Sequence, residues 1–405
     1  MRKTSQDTTN EEKKRKNHSN NIHFVHFDGD TYFAPLKLND VKLPSPSTHI
    51  DDSVEENWEQ QQEQSSTQQE TVRVEILDIR GDGVFDKLKD LGSQLNGVAF
   101  RDLNLQQLPK ELVPIWQHIE QLDLSGNSLN DFSIAEIVPH LNKLTELNLN
   151  GNNIQQIPKN FKNLQLLKRI YIEYNKLATL HNVESKNLQW LVVDNNNLRS
   201  IDLFLRSSGS EKSLRVLDAS HNEIGTVPPA IRNYRNLVHL NVSNNNLKLL
   251  PIELFKLNSL QFLNASFNQI AHVPSFNMSP TGGFAKSQLQ SIDLSDNLLN
   301  KLPEHLLLMA DSVDLSNNMI KFIRGNLLQK MAFKTPKELL IEGNPLSFPP
   351  AKRIGRDGLR GLLNFFSSIK GRVKKRHGIK VFVTGSSGSG KTSFVKSLVD
   401  EFPVS

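Results

Sequence analysis

The sequence of 405 residues contains no cysteine. Disulfides and thiolate metal sites are therefore excluded, and the count favours a reducing, cytoplasmic environment. No run of 18 apolar residues occurs, so we expect no membrane-spanning helix. The polar opening residues Met1–Ser5 predict no secretory signal. Metal-binding histidine clusters and serine-nucleophile motifs are missing as well, and we expect no metal other than magnesium.

Positive charge is not spread over any broad face of this chain. The net charge is +5, and much of the excess lies in two short runs, at residues 13–16 and 372–376. Nucleic-acid binding usually needs a broad basic surface, so we expect no nucleic-acid partner. The second run indicates membrane contact only weakly, because contact with acidic lipid and a solvated linker both fit it.

The first 70 residues are poor in apolar side chains and rich in Gln, Glu and Ser. Such a segment cannot bury enough apolar surface to offset its ordering entropy, so we expect a disordered tail over residues 1–70. One stretch differs, residues 22–36, where two apolar runs flank an Asp-Gly turn. It fits a small hairpin or a linear motif that orders on a partner, and we favour the motif.

A repeated pattern, L-x-x-L-x-L-x-x-N-x-L, fills most of the remaining sequence. Ten copies occur, and the spacing between successive pattern asparagines runs from 21 to 29 residues. This is the signature of leucine-rich repeats, and it predicts an α/β solenoid, or horseshoe, over residues 71–350. Weaker turns around Val74 and Leu95 are expected to begin the array. The pattern asparagines are Asn127, Asn152, Asn175, Asn196, Asn222, Asn245, Asn268, Asn297, Asn318 and Asn344.

The residues between the inward leucines of each copy should line the concave face of such a solenoid. They are mostly acidic there, with aromatic and aliphatic side chains among them, which is typical of an interface. We therefore predict a protein partner with a basic, partly apolar surface. Asp123, Asp218, Asp293 and Asp314 recur at one position, so repeat chemistry alone also explains them. The predicted contact residues are Arg169, Tyr171, Trp190, Val192, Asp194, Val216, Asp218, His239 and Phe262.

A phosphate-binding motif, G-x-x-x-x-G-K-[ST], lies near the end of the sequence. An apolar run at residues 379–384 precedes it and helical spacing comes after it, the strand–loop–helix context that the motif needs. Lys391 would bind the β- and γ-phosphates of a nucleotide, and Thr392 would ligate Mg²⁺. Neither GTP nor ATP is selected by the motif itself. The predicted nucleotide-binding residues are Gly385, Ser386, Ser387, Gly388, Ser389, Gly390, Lys391, Thr392 and Ser393.

The order of these parts resembles the Roco family, in which leucine-rich repeats precede a Ras-like Roc GTPase domain. Asn344–Phe365 is similar to the joint that those proteins use, and Val381–Thr392 resembles the first strand and phosphate loop of Roc. The resemblance covers residues 95–405. It implies GTP, Mg²⁺, dimerisation through a following COR domain, and sometimes a kinase domain.

The resemblance divides the end of the chain into a helical, basic linker at 351–378 and the start of Roc at 379–405. Thirteen residues come after the motif, too few for the remaining switch and base-recognition elements, so these 405 residues alone are not expected to hydrolyse nucleotide. Three interpretations stay open. The chain is a signalling scaffold coupled to a GTP-binding domain, a non-enzymatic repeat adaptor with an inert motif, or the front of a Roco kinase.

Overall fold

A computed structural model describes residues 72–75, 95–275, 289–324, 336–354 and 358–372. Its centre is a twelve-stranded sheet in which the strands follow one another in chain order, each parallel to the next. The strands are β1 (Val72–Glu75), β2 (Leu95–Ala99), β3 (Gln121–Asp123), β4 (Glu146–Asn148), β5 (Arg169–Tyr171), β6 (Trp190–Val192), β7 (Val216–Asp218), β8 (His239–Asn241), β9 (Phe262–Asn264), β10 (Ser291–Asp293), β11 (Ser312–Asp314) and β12 (Glu338–Leu340).

Each of the ten predicted repeats supplies one strand, β3 to β12, and the two weaker turns supply β1 and β2. The predicted leucine-rich-repeat solenoid is therefore confirmed. In the repeats the strands pair without offset, so equivalent residues of successive copies lie side by side, as Leu191 lies beside Leu217. The pattern leucines on one side of the sheet form a single buried core that runs through the described part of the array.

The pattern asparagines hold neighbouring coils together. The Asn222 side chain accepts a hydrogen bond from the Leu198 amide of the preceding coil at 2.9 Å. Its Nδ2 donates to the Val193 carbonyl of that coil at 3.0 Å and to the Ala219 carbonyl of its own. Asn245 and Asn268 repeat the arrangement one and two coils later. One asparagine side chain thus satisfies buried backbone N–H and C=O groups that the strand-to-strand hydrogen bonds do not reach. This explains why an asparagine occurs in every copy.

The side of the solenoid away from the sheet is built from short helices and turns. Several coils carry a proline there followed by a 3₁₀ turn, because a proline fixes φ near the value that precedes such a turn. The 3₁₀ turns are Lys110–Leu112, Val138–His140, Lys159–Asn163, Pro229–Asn233 and Ile252–Lys256. The α-helices are α1 (Val113–Trp116), α2 (Asp131–Ile137), α3 (Asp202–Ser207), α4 (Leu306–Met309), α5 (Ala351–Ile354) and α6 (Gly358–Arg372).

Helices α5 and α6 cover the last coil. Ile354, Leu362 and Phe366 are buried in the same core as the repeat leucines, and Phe348 meets Phe366 edge to face with ring centroids 6.1 Å apart. The sequence predicts a linker at 351–378, but its described parts, α5 and α6, shield an otherwise open end of the array. A cap is what a solenoid needs where its repeats stop.

Other sequence predictions fall elsewhere in the chain. The tail at 1–70, its hairpin or linear motif, and the whole phosphate-binding segment at 379–405 lie outside the described residues. Within the described ranges, no helix has both the length and the apolar character needed to cross a bilayer.

Candidate protein-binding surface

The sheet face that points away from the core is the concave face, and strand register sorts its side chains into parallel rows. Row 1 holds the first residue of each strand, and row 2 holds the third. Row 3 lies two residues further along each coil, just past the strand end. The rim is the residue that comes directly after row 3. From β5 to β9, row 1 is Arg169, Trp190, Val216, His239 and Phe262.

Row 1 places all five of its predicted contact residues next to one another. Arg169 binds Glu146 of the adjacent strand through Nη1 at 2.6 Å, so its charge is already matched. Trp190 and Val216 are only 8% and 7% exposed, so they offer little surface to a partner. His239 and Phe262 are only partly buried, and their ring centroids are 5.9 Å apart. The accessible apolar surface of row 1 is therefore at its Phe262 end.

Row 2 is mostly closed to solvent. Tyr171 is 0% exposed and Val192 is 2% exposed, and each is flanked in its row by residues of both neighbouring strands. Both predicted contact residues thus support the surface from beneath rather than offer side chains to a partner. Asp218, also in row 2, is partly exposed.

The recurring row 2 acids have a structural role. Asp218 accepts hydrogen bonds from the Ser220 amide at 2.9 Å and from the Ser220 hydroxyl at 2.7 Å. Asp123 and Asp314 hold Ser125 and Ser316 in the same way. The interpretation of these acids as repeat chemistry, left open by the sequence, is therefore supported at these positions, since each one closes the end of its strand.

Asp194 differs from those acids because it lies in row 3, where most later coils carry serine. Burial raises its pKa to about 8, and repulsion by Asp218 and Glu173 adds to the effect. The side-chain Nδ2 of Asn195 donates to Asp194 Oδ2 at 2.5 Å and partly opposes the rise of the pKa. Three carboxyl groups thus meet on adjacent coils, and the position of Asp194 favours a neighbouring positive charge.

No basic side chain of row 1 between β5 and β9 supplies that charge. Arg169 is paired with Glu146. Burial lowers the pKa of His239, although Asp218 raises it, so the imidazole is neutral near pH 7. The surface around Asp194 therefore presents carboxyl groups without a matching row 1 cation, and aromatic and aliphatic side chains lie in the rows beside it.

Sequence reasoning missed two exposed aromatic side chains of the rim, Tyr174 and Phe267, which are 64% and 55% exposed. The signal was present in the repeats. Most other copies have Gly, Asn or Asp at this position, as in Gly151, Asn195 and Asp296, so an aromatic residue there breaks the pattern.

The described acidic side chains are not arranged as a metal site. Within the described ranges no group of three or more His, Asp or Glu side chains is placed to hold a metal ion. Thr392, the predicted Mg²⁺ ligand, and the nucleotide-binding residues from Gly385 to Ser393 lie outside those ranges and stay predictions.

Comparison with known proteins agrees with this architecture. The sequence profile described as Leucine Rich Repeat matches residues 143–164, 213–234 and 236–257. Lumican from Oryctolagus cuniculus is 30% identical over 192 residues, which are 46% of this chain and 93% of that protein. This chain belongs to the leucine-rich-repeat family. The profile matches lie inside the array, so the Roco resemblance, which depends on the segment after the array, stays a prediction.

Two further similarities cover more of this leucine-rich-repeat chain. Lumican from Homo sapiens is 29% identical over 284 residues, covering 68% of this chain and 77% of that protein. The crystal structure of the APL1 leucine-rich repeat domain has a TM-score of 0.52 and 26% identity, and the match covers 68% of this chain and 69% of that one. Both similarities are to proteins described by the same kind of repeat or matched over about two thirds of this chain, and they agree with the repeat fold of the array.

Proposed function

We propose that this protein is a signalling scaffold whose repeats bind a basic, partly apolar segment of a protein partner. The observation that carries the proposal is the group formed by Glu173, Asp194 and Asp218 on three adjacent coils, next to the partly exposed His239–Phe262 ring pair. A Lys or Arg of the partner would stabilise the ionised form of Asp194, which burial and the neighbouring carboxyl groups disfavour in the free protein. An apolar side chain beside it would cover Phe262, and solenoids commonly bind partners on this face.

Partner binding should depend on the ionisation of Asp194. The pKa of its carboxyl is about 8 in the free protein, and a bound cation would lower that pKa. Binding would then release a proton, and affinity would rise between about pH 6 and pH 9. Added salt should weaken the complex, because part of the attraction is between charges near the surface.

The proposal can be tested by selecting binders from a displayed library of random twelve-residue peptides. We expect the selected peptides to combine Lys or Arg with aromatic or aliphatic residues. At pH 8.5 Asp194→Asn and Phe262→Ala should each weaken a selected peptide about tenfold, which corresponds to about 1.4 kcal/mol. Trp190→Ala is a poorer test, because this side chain is only 8% exposed and its removal would also open a cavity.

Leu203→Ala is the matched control, since Leu203 is 50% exposed and lies in α3, away from the sheet. It should bind the peptide as the unaltered protein does. Selection of acidic or charge-free peptides would contradict the proposed partner chemistry. Equal losses in the control and in the concave-face variants would contradict the proposed location.

A second part of the proposal concerns nucleotide, and it is favoured by the sequence motif. We propose that Gly385–Ser393 binds GTP with Mg²⁺ at Thr392, as the Roco resemblance implies, in a cytoplasmic protein that dimerises if a COR domain follows. The supporting observation is the complete G-x-x-x-x-G-K-[ST] motif after an apolar run. A following kinase domain would make the chain the front of a Roco kinase, whereas an inert motif would leave a non-enzymatic adaptor.

Titration of the 405-residue protein with fluorescent GTP and ATP analogues in the presence of Mg²⁺ separates these interpretations. The GTP-binding proposal predicts saturable binding of the GTP analogue that Lys391→Ala abolishes. Lys380→Ala, outside the motif, should bind normally. Absence of binding, or binding that survives Lys391→Ala, would favour the adaptor with an inert motif.

A further inference from the structure

The rim has an unusual backbone conformation in one coil after another. Its non-glycine residues from the β5 coil onward have φ values near +50°, from 49° at His221 to 54° at Asn317, and the rim glycines reach 62° to 72°. L-amino acids rarely adopt this left-handed region, and Gly, Asn and Asp adopt it most easily. The repeat turn requires it, which explains why most copies of the rim hold one of these three residue types.

Tyr174 and Phe267 occupy this conformation with bulky aromatic side chains, at φ values of 51° for both. A bulky residue there is conformationally disfavoured, and such outliers concentrate at functional sites. Both rings are more than half exposed, so they gain little of the burial energy that normally compensates an aromatic residue. In the isolated protein, Asn at either position would serve the fold at least as well.

The two rings mark the ends of the candidate surface. Tyr174 belongs to the β5 coil and Phe267 to the β9 coil, the same five coils that hold row 1 from Arg169 to Phe262. Neighbouring strands lie about 4.8 Å apart, so four steps separate the rings by about 19 Å. An extended polypeptide rises about 3.3 Å per residue, and about six residues would span the distance.

The carboxyl groups near Tyr174 favour a basic polypeptide as the partner between the two rings. Tyr174 lies next to Glu173, and its amide donates to the Asp194 carbonyl oxygen of the next coil at 3.2 Å. The rim side chains between the two rings are Asn195, His221 and Asn244, which are polar. An extended segment along the rim would therefore place its ends on aromatic rings and its basic residue over the acids near Tyr174.

We propose that Tyr174 and Phe267 are the two end anchors for the partner, and that the partner binds as an extended, basic polypeptide segment of about six residues with an apolar side chain at each end. This inference rests on the proposed concave-face function and adds the length, the conformation and the anchor points of the bound segment. Contact with the partner would offset the conformational cost of the two rings.

The test uses Tyr174→Asn and Phe267→Asn in the full 405-residue chain, with a peptide selected from the random library as the probe. Asn occupies the same position in Asn195 and Asn244, with φ of 52° at both, so neither variant should lose stability, and the urea midpoint should stay equal or rise. Peptide affinity should fall at least tenfold for each variant. Phe132→Ala is the control, since Phe132 is 81% exposed in α2 and should leave affinity unchanged.

Peptide length gives a second, independent readout. Shortening the probe to four residues or fewer should remove the effect of one of the two substitutions, because about 13 Å of extended chain cannot reach both rings. Unchanged affinity in both rim variants, with binding still lost in Asp194→Asn, would overturn the anchor inference and leave the concave-face function standing. Unchanged affinity in all three variants would overturn both. A lowered urea midpoint would show that the rings stabilise the fold, which also overturns the inference.

Discussion

Replacing one interior pattern asparagine should show how much the coil-to-coil hydrogen bonds contribute to stability. Asn222→Ala is the most informative change because Asn222 lies in the middle of the array and is 9% exposed. Its side-chain Oδ1 accepts a hydrogen bond from the buried backbone amide of Leu198 at 2.9 Å. Its amide group donates to the carbonyls of Val193, Ala219 and Ser220.

The magnitude depends on which groups lose their partner. The Val193 carbonyl keeps the hydrogen bond from Asn196 at 3.1 Å, so its loss is partial. The Leu198 amide loses the acceptor that the structure shows, and a buried donor left unsatisfied costs about 1–3 kcal/mol. Truncation also removes packed atoms between the coils. We therefore expect Asn222→Ala to lower the free energy of unfolding by about 3 kcal/mol.

Urea unfolding followed by far-UV circular dichroism and tryptophan fluorescence measures this loss. Asn197→Ala is the matched control, because Asn197 is an exposed asparagine in the preceding coil, and its effect should stay within about 0.5 kcal/mol. A loss below about 1 kcal/mol for Asn222→Ala would refute the reasoning, since it would mean that water or backbone relaxation replaces the asparagine at little cost. Equal losses in the two variants would refute it as well.

Three further predictions concern stability. The pKa of Asp194 is raised to about 8 in the folded protein, so the folded state keeps a proton that the unfolded chain releases above about pH 4. The free energy of unfolding should therefore fall as pH rises towards 8. The urea midpoints at pH 5 and pH 8.5 should differ less in Asp194→Asn than in the unaltered protein. Gly361→Ala should lower the free energy of unfolding by about 2 kcal/mol, since a Cβ there would overlap the Ile354 carbonyl and displace α6. Calorimetry should show a lowered Tm, and an unchanged Tm would contradict the capping role of α6. Tyr234→Phe removes a buried hydroxyl that lies 2.7 Å from Ser208 Oγ. It should lower the free energy of unfolding in urea by about 1 kcal/mol, and an unchanged value would mean that this hydroxyl adds nothing to stability.

The solenoid could be predicted from the sequence because its period is repeated ten times. Leucine spacing indicates each strand and the recurring asparagine marks each turn, so the strand position in a weak copy follows from its spacing to the clear copies. Helix α6 was also visible from its apolar spacing. Its role as a cap was not, because that depends on whether Leu362 and Phe366 reach the last coil, a contact between elements that periodicity does not describe.

The candidate surface was only partly predictable. Alternation along a strand correctly assigned Tyr171 to the concave face, but it carries no information about how closely neighbouring coils converge. In the structure Tyr171 and Val192 are buried, whereas Phe262 stays partly exposed. Tyr174 and Phe267 were overlooked because they lie just beyond the strands. Their significance appears only when the backbone shows that the rim is left-handed.

Site-specific photo-crosslinking tests the central claim, that the concave face holds the partner, most directly. A benzophenone analogue of phenylalanine would replace Phe262 in one sample and Leu203, on the opposite side of the solenoid, in the other. With a selected basic peptide as the probe, we predict a crosslink from position 262 that unlabelled peptide competes away, and none from position 203. A crosslink at position 203 alone would contradict the account and move the binding surface to the other side of the array.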